Sequence, residues 1–398
     1  MVPFSLCMIV KNEEAALPQC LESVQNVVDE MVVLDTGSTD QTIAVAQSFG
    51  ARVHTFEWDG SFASARNQAL QHVQGDWVLV LDADEVLRPE VVPLMQQAMA
   101  VENNLVINLL RQEIGAVQSP YSSVSRLFRR HPQIYFSRPY HAMIDDSVAQ
   151  LWQQEPHWQI VELSTVAILH YGYQPGVITA QDKYAKARQA MEGFLATHPD
   201  DPYTCSKLGG LYLQMGQVEE AIALLTRGLT AQGDAPVLFE LHYHLGNAYR
   251  TQDSNQAVQH YQRAIAQPIL PRLKLGAYNN LGALLQAAGE GQAAQKIYQM
   301  ALAIDPSFAV GYYNLGMTLK AQGRYSEAIT AYRQAIRLEP HYGFAYQNLG
   351  VALFKLGQLP ESQEAFTTAI RLHEAQNPPE AQRLRQGLQA LGLSPATW

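Results

Sequence analysis

The pairs Leu281-Gly282, Leu315-Gly316 and Leu349-Gly350 stand 34 residues apart, and this spacing constrains the chain more than any other feature. Each pair sits in the same frame. Tyr278, Ala294, Tyr298, Ala301 and Pro306 surround the first, and Tyr312, Ala328, Tyr332, Ala335 and Pro340 the second. Tyr346, Phe366 and Ala369 surround the third. A fixed period of this length marks a solenoid whose helical units stack to bury one continuous core. Small residues at the Gly and Ala positions let paired helices approach, and the aromatic fills the groove, so these are packing residues rather than ligands. Leu208-Gly209 with Tyr212 and Ala221, and Leu245-Gly246 with Tyr249 and Ala264, are looser copies, giving about five repeats over residues 203–376. Binding is expected on the concave face, with Asn279, Asn280, Asn314 and Asn348 as candidates.

Before residue 203 the pattern is different. Short apolar runs at 4–10, 30–34, 51–56 and 77–81 alternate with helical periodicity, the signature of βαβ units and a parallel sheet. The run Trp77-Val78-Leu79-Val80-Leu81 reads as a strand buried on both faces, and it stops at Asp82, Asp84 and Glu85. Unpaired charges must leave a buried strand at its carboxyl end, where open α/β sheets hold their ligands. Asp82 and Asp84 point the same way on an extended chain. They suit a divalent cation bridging phosphates, or they cap the following helix. Glu85 reads as a partner for Arg88. Asp35 ends the second strand and either stabilises the turn Thr36-Gly37-Ser38 or faces a ligand. Residues 58–61 lead into a helix that presents Arg66 and Asn67.

The net charge of −10, with no Lys/Arg cluster, argues against a nucleic-acid surface. Cys7, Cys20 and Cys205 have no metal or redox spacing and read as buried thiols. Residues 1–5 lack a basic signal region, and no apolar run approaches the roughly 20 residues of a membrane span. A cytoplasmic protein is the expectation.

Four segments, in order and at matching spacing, resemble the family 2 glycosyltransferases. They are Ile9-Val10-Lys11-Asn12-Glu13-Glu14, Val33-Leu34-Asp35-Thr36-Gly37-Ser38-Thr39-Asp40, Ala65-Arg66-Asn67 and Asp82-Ala83-Asp84. The 34-residue period is that of tetratricopeptide repeats. The resemblance implies an α/β GT-A nucleotide-sugar-binding domain, with a Rossmann-like mixed sheet, followed by an all-α tetratricopeptide solenoid. It makes Asp35 a contact of the nucleotide base and places Val10, Asn12, Glu13, Arg66, Asp82 and Ala83 around the nucleotide sugar. Asp82 and Asp84 would hold Mn or Mg on the diphosphate. His170, in a segment resembling the family's closing His-x-Gly-Tyr, would be a late metal ligand; alone it reads equally as a strand-end histidine bonded locally. His141 matches a His-Glu pair near the acceptor site, but Ala142 replaces the Glu. The base is therefore open among His141, Asp145 and Asp146.

The expected division is a transferase domain at 1–180, a linking helix at 181–202, repeats at 203–376 and a capping tail at 377–398. The leading function is metal-dependent, inverting transfer of a hexosyl or N-acetylhexosaminyl group from a nucleotide-diphosphate donor, UDP-linked by expectation. The acceptor would be a peptide, protein or carrier recruited partly by the repeats. A tetratricopeptide adaptor with a catalytically weak nucleotide-sugar domain is the alternative, and a nucleotidyltransferase a third reading. On the leading reading, a cut after about His198 leaves a domain that still binds donor.

Overall fold

The computed structural model describes residues 3–116, 119–138, 142–172 and 180–390. Two compact units meet at Gly233 and Asp234. The first contains β1 (Phe4–Val10), β2 (Glu30–Asp35), β3 (Arg52–Thr55), β4 (Trp77–Val80), β5 (Glu85–Leu87), β6 (Asn104–Glu113), β7 (Tyr121–Arg129) and β8 (Gln159–His170). Helices α1 (Leu17–Val24), α2 (Thr42–Ser48), α3 (Phe62–Leu70), α4 (Val92–Met99) and α5 (Asp145–Gln154) lie between them in sequence. The strand order is β3-β2-β1-β4-β7-β6-β8-β5. Strands β1 to β4 run parallel, as the βαβ alternation requires. β7 enters antiparallel between β4 and β6, and β8 runs parallel to β6.

The central strands are apolar throughout because both faces are covered. Leu6, Met8 and Leu79 pack with Leu17, Leu21 and Met95 on one side. Cys7, Val78 and Val80 pack with Ala63, Ala69 and Val148 on the other. The three cysteines are buried free thiols, and burial pushes Cys7 up to about 12.

Residues 76–87 are not one strand. The Glu85 amide donates to the Asp82 carbonyl at 3.0 Å, closing a tight turn that keeps its ends within about 7 Å. β5 then pairs with β8, four strand positions from β4. A flat sheet would set those positions about 19 Å apart at ~4.8 Å per strand. The sheet therefore curls until its far edge returns to its centre. Residues 134–136, apolar and aromatic, form no strand. β7 is already paired on both sides, so this segment is held instead by side chains: Asn67 bonds both the amide (2.7 Å) and carbonyl (2.8 Å) of Phe136, and Ser147 bonds Tyr135.

Helices α6 (Ala180–Thr197), α7 (Pro202–Gln214) and α8 (Val218–Gly228) complete the first unit. Among the described residues no helix is long and apolar enough to cross a membrane.

The second unit is a stack of helix pairs: α9 (Ala235–Tyr249) with α10 (Ser254–Ala266), and α11 (Leu275–Ala287) with α12 (Gly291–Ile304). Then come α13 (Ala309–Ala321) with α14 (Tyr325–Leu338), α15 (Gly343–Lys355) with α16 (Leu359–Gln376), and α17 (Pro378–Ala390). The expected cap is α17, which buries Ala381, Leu384 and Leu388. The asparagines expected to bind are largely internal. Asn279 and Asn280 are buried, Asn280 donates to Asn247 (2.9 Å) and Asn314 donates to Asn279 (2.7 Å). Their amides tie successive repeats together.

In the three regular repeats, Gly282, Gly316 and Gly350 touch the aromatic sixteen residues on. A Cβ on Gly282 would lie 2.7 Å from the Tyr298 ring, and one on Gly316 2.6 Å from Tyr332. Gly282→Ala is expected to cost about 1–3 kcal/mol by overpacking. Thermal unfolding followed by circular dichroism will show this as a lowered midpoint for the helical signal.

Candidate active site

The carboxyl ends of β1, β2 and β4 lie side by side on the parallel part of the sheet. At the end of β2, Asp35 is 2% exposed and does two things at once. Its Oδ2 accepts from the amides of Gly37 and Ser38, both at 2.9 Å, which is the turn-stabilising role. Its Oδ1 is buried and has no hydrogen-bond partner. The Val10 carbonyl accepts from the amide (2.9 Å) and hydroxyl (3.0 Å) of Thr36. Asn12 adopts a left-handed φ of 56°, and its Oδ1 accepts from the Thr39 amide at 2.7 Å. The Glu13 amide donates to Thr42 Oγ1 at 2.7 Å. Val10, Asn12 and Glu13 thus build the wall beside Asp35.

From Asp82 a chain of alternating charges runs through the curled sheet and returns to Asp84. Arg66 Nη2 donates to Asp82 Oδ1 (2.8 Å), and Arg126 Nη2 to Asp82 Oδ2 (2.9 Å). Arg126 Nη1 lies 3.6 Å from Glu85, whose other oxygen accepts from Arg111 Nη1 at 2.6 Å. Arg111 Nε donates to Glu113 (2.9 Å), and Glu113 bonds His170 Nδ1 (2.5 Å). His170 Nε2 faces Asp84 Oδ2 at 3.3 Å. The β5–β8 register sets Glu85 opposite His170, and the Tyr171 amide donates to the Asp84 carbonyl at 2.9 Å. Between β6 and β7 the register slips at Ile107 to Leu109, a bulge of the kind that re-aims side chains beside sites, next to Ser125 and Arg126.

Burial alone would raise the Asp82 carboxyl, but the guanidiniums of Arg126 and Arg66 reverse this and hold it far below the usual range. Burial, with Arg126 nearby, lowers Arg66 to about 10, so it keeps its charge at neutral pH. Burial would lower His170, yet its bonds to Asp84 and Glu113 prevail and raise it to about 9. Glu113 is held below its ordinary value against burial, chiefly by the bond to His170 and by Arg111.

Glu85 was expected to pair with Arg88. Instead it is fully buried, accepts from the Asp82 amide at 2.8 Å and pairs with Arg111, while Arg88 pairs with Glu90 at 3.3 Å. Asp82, expected among the metal ligands, has both carboxylate oxygens on arginines and joins the site as their partner. Ala83 is buried between the two aspartates. His141 lies outside the described residues. Asp145 is exposed and accepts from Ser125 Oγ at 3.0 Å. Asp146 is bound by Arg138 through Nε and Nη2, both at 2.9 Å, and by Ser137. Burial would raise it, but these bonds hold its carboxyl low, which makes it a poor base.

Arg111, Glu113 and Arg126 were missed from the sequence. The signal was present at 111–113, where the apolar run 105–110 ends in charges as β4 does. Asp84 and His170 fit a divalent cation as a pair. A Cβ on Gly172 would lie 2.8 Å from Asp84 Oδ2 and 2.5 Å from His170 Nε2, so only glycine leaves that cradle open. The bond from Nδ1 to Glu113 fixes the ring so that Nε2 faces Asp84, as a metal-binding imidazole is usually held. Among the described residues no group of three His, Cys, Asp or Glu side chains converges on one point, so phosphate oxygens and water would supply the other ligands.

The glycosyl transferase family 2 profile matches residues 5–161. Tetratricopeptide repeat profiles match residues 179–242, 275–304, 309–342 and 331–364. A TPR repeat-containing protein of Synechococcus elongatus is 45% identical over 308 residues, covering 77% of this chain and 76% of its own. The SPbeta prophage-derived glycosyltransferase SunS of Bacillus subtilis is 25% identical over 233 residues, 56% of this chain and 52% of its own. This chain thus spans about half the length of that relative. Among solved structures, MamA aligns over 44% of this chain and 93% of its own, at 26% identity and a TM-score of 0.39.

Removing one partner of a buried charge pair strands the other. Glu85→Ala should therefore destabilise the first unit by about 3–5 kcal/mol, while Arg88→Ala should stay within about 0.5 kcal/mol. Urea unfolding monitored by tryptophan fluorescence will separate the two.

Proposed function

The chain belongs to the family 2 glycosyltransferases and carries tetratricopeptide repeats behind that domain, and we propose that it transfers a hexosyl or N-acetylhexosaminyl group, with inversion, from a uridine diphosphate-linked donor. The acceptor is a hydroxyl or thiol on a peptide, protein or carrier that the repeats help recruit.

The observation that carries this reading is a set of buried donors without hydrogen-bond partners: Nε and Nη1 of Arg66 and Nη1 of Arg126. Leaving such groups unmatched costs on the order of 1–3 kcal/mol each. Diphosphate oxygens match planar guanidinium edges, often two bonds at a time. Asp35 Oδ1 is the converse, a buried acceptor suited to an N–H of the base. Negative charge grows on the leaving diphosphate as the glycosidic bond breaks. Arg66 and Arg126 meet that charge already fixed by Asp82, so little reorganisation is needed. A divalent cation, Mn²⁺ or Mg²⁺, held by Asp84 and His170 would add Lewis-acid neutralisation of the diphosphate when bound. A base on the opposite face of the sugar takes the acceptor proton. Asp145 and His141 are the candidates, because Asp146 is committed to Arg138.

Calorimetric titration with UDP, with and without Mn²⁺, tests the assignments. Asp35→Ala is expected to weaken UDP by roughly 1.5–3 kcal/mol. Asp84→Asn and His170→Gln should abolish the gain in affinity that Mn²⁺ brings, whereas Asp82→Asn should weaken UDP with or without the metal. An Asp84→Asn protein that keeps the full Mn²⁺ effect overturns the metal pair. Asp145→Asn and His141→Gln, assayed for UDP release from a panel of UDP-sugars with cell lysate as acceptor, distinguish the bases: loss of the true one should slow transfer by about 10²–10⁴-fold.

A further inference from the structure

Arg138 has no part in the chemistry above, yet it is the most heavily bonded arginine near it. Its backbone is left-handed, with φ 73°, a conformation disfavoured for any residue with a Cβ. The chain is pinned on either side of it. Ser137 and Met143 exchange backbone hydrogen bonds of 2.9 and 3.2 Å. Phe136 exchanges two with Asn67, the neighbour of Arg66 on α3, and the Arg66 guanidinium carbon lies 5.3 Å from the Phe136 ring centroid.

The side chain uses all five of its N–H groups. Nε and Nη2 donate to Asp146, both at 2.9 Å. Nη1 and Nη2 donate to Asp201 at 2.7 and 3.1 Å, and Nη1 also reaches Thr204 Oγ1 at 3.4 Å. The guanidinium also lies over Tyr203, 4.6 Å from its centroid, and 5.6 Å from that of Phe194. Asp201 meanwhile caps α7, accepting from the Thr204 amide at 2.7 Å. One planar fork thus joins the start of α5 to the head of the first repeat helix. Lysine, with a single point of attachment, cannot make that double bridge.

We propose that Arg138 is a positioning residue that makes the first repeat a working part of the transferase site. Asp201, at the head of α7, holds through Arg138 the segment 134–138 against α3 and the first turn of α5. In this way it fixes Arg66 on the donor side and Asp145 on the acceptor side. The inference rests on the roles given to Arg66 and Asp145 above. It revises the expectation for a cut after His198, which would remove Asp201, Tyr203 and Thr204 and release that segment.

The test uses the full chain as wild type, Arg138→Lys, Asp201→Asn and the double variant. Asparagine also caps helices, so Asp201→Asn keeps α7 while removing the carboxylate. UDP-glucose and UDP-N-acetylglucosamine are the donors, with kcat, donor KM, thermal midpoint and amide hydrogen exchange of 134–138 and 142–148 as readouts. Each single variant should lower kcat by about tenfold or more, with KM within about threefold, and raise exchange in both segments. The double variant should be no worse than the poorer single one, since both break one bridge. Wild-type kcat in Asp201→Asn, with or without a lower thermal midpoint, overturns the proposal by leaving Arg138 a merely structural ion pair. Multiplying effects in the double variant overturn the Arg138–Asp201 bridge. If the wild type releases no UDP from either donor, the proposed reaction is what fails for those donors. Exchange then decides the coupling: faster exchange of 134–138 in Asp201→Asn supports it and unchanged protection refutes it.

Discussion

Glu85 sits where water does not reach, and its carboxylate stays there because Arg111, Arg126 and the Asp82 amide surround it. The Asp82–Glu85 turn starts at the centre of the sheet and delivers β5 to its far edge, so the sheet can close this turn only by curling. Arg111 comes from β6 and Arg126 from β7, and both strands must be drawn to the turn for the buried carboxylate to be paired. A buried charge left alone is expensive enough to make that arrangement close to obligatory. Curl, turn and ion pair therefore form or fail together.

Within the resulting concavity, satisfied and unsatisfied groups are divided in a meaningful way. Asp82, Glu85 and Glu113 are matched by arginines or by His170, and they hold those cations in place. The buried polar atoms left there without a hydrogen bond are Nε and Nη1 of Arg66, Nη1 of Arg126, which lies 3.6 Å from Glu85, and Oδ1 of Asp35. The protein's own carboxylates thus hold these cations in place. Asp84 and His170 close the same circuit at its other end, beside Gly172, where a Cβ would collide with both side chains.

The repeats are held by a different logic. Their glycines admit tyrosine or phenylalanine rings from the partner helix, and their buried asparagines bond from one pair to the next. Arg138 brings the first repeat pair under the influence of the catalytic sheet, within the unit that runs to Gly233. The functional border then falls inside the helical region rather than at its start.

The sequence by itself determined the class of each half and the repeat frame, and it marked the carboxylates that end the central strands. Those signals are local: a buried strand must be apolar until it ends, and stacked helix pairs repeat their contacts every 34 residues. Asp35, Asp82 and Asp84 were legible for that reason, whereas Arg66, on α3, was marked only by the family resemblance. Glu85 was misread because its partner, Arg111, is 26 residues away and meets it only after the sheet curls. Arg126 and Glu113 were unreadable on the same ground, since an arginine or glutamate in a strand looks like a solvated residue until the opposite charge is folded onto it. The Arg138–Asp201 bridge spans 63 residues and joins two kinds of architecture. Periodicity reports which face a residue occupies; only the tertiary structure decides which charge it meets there.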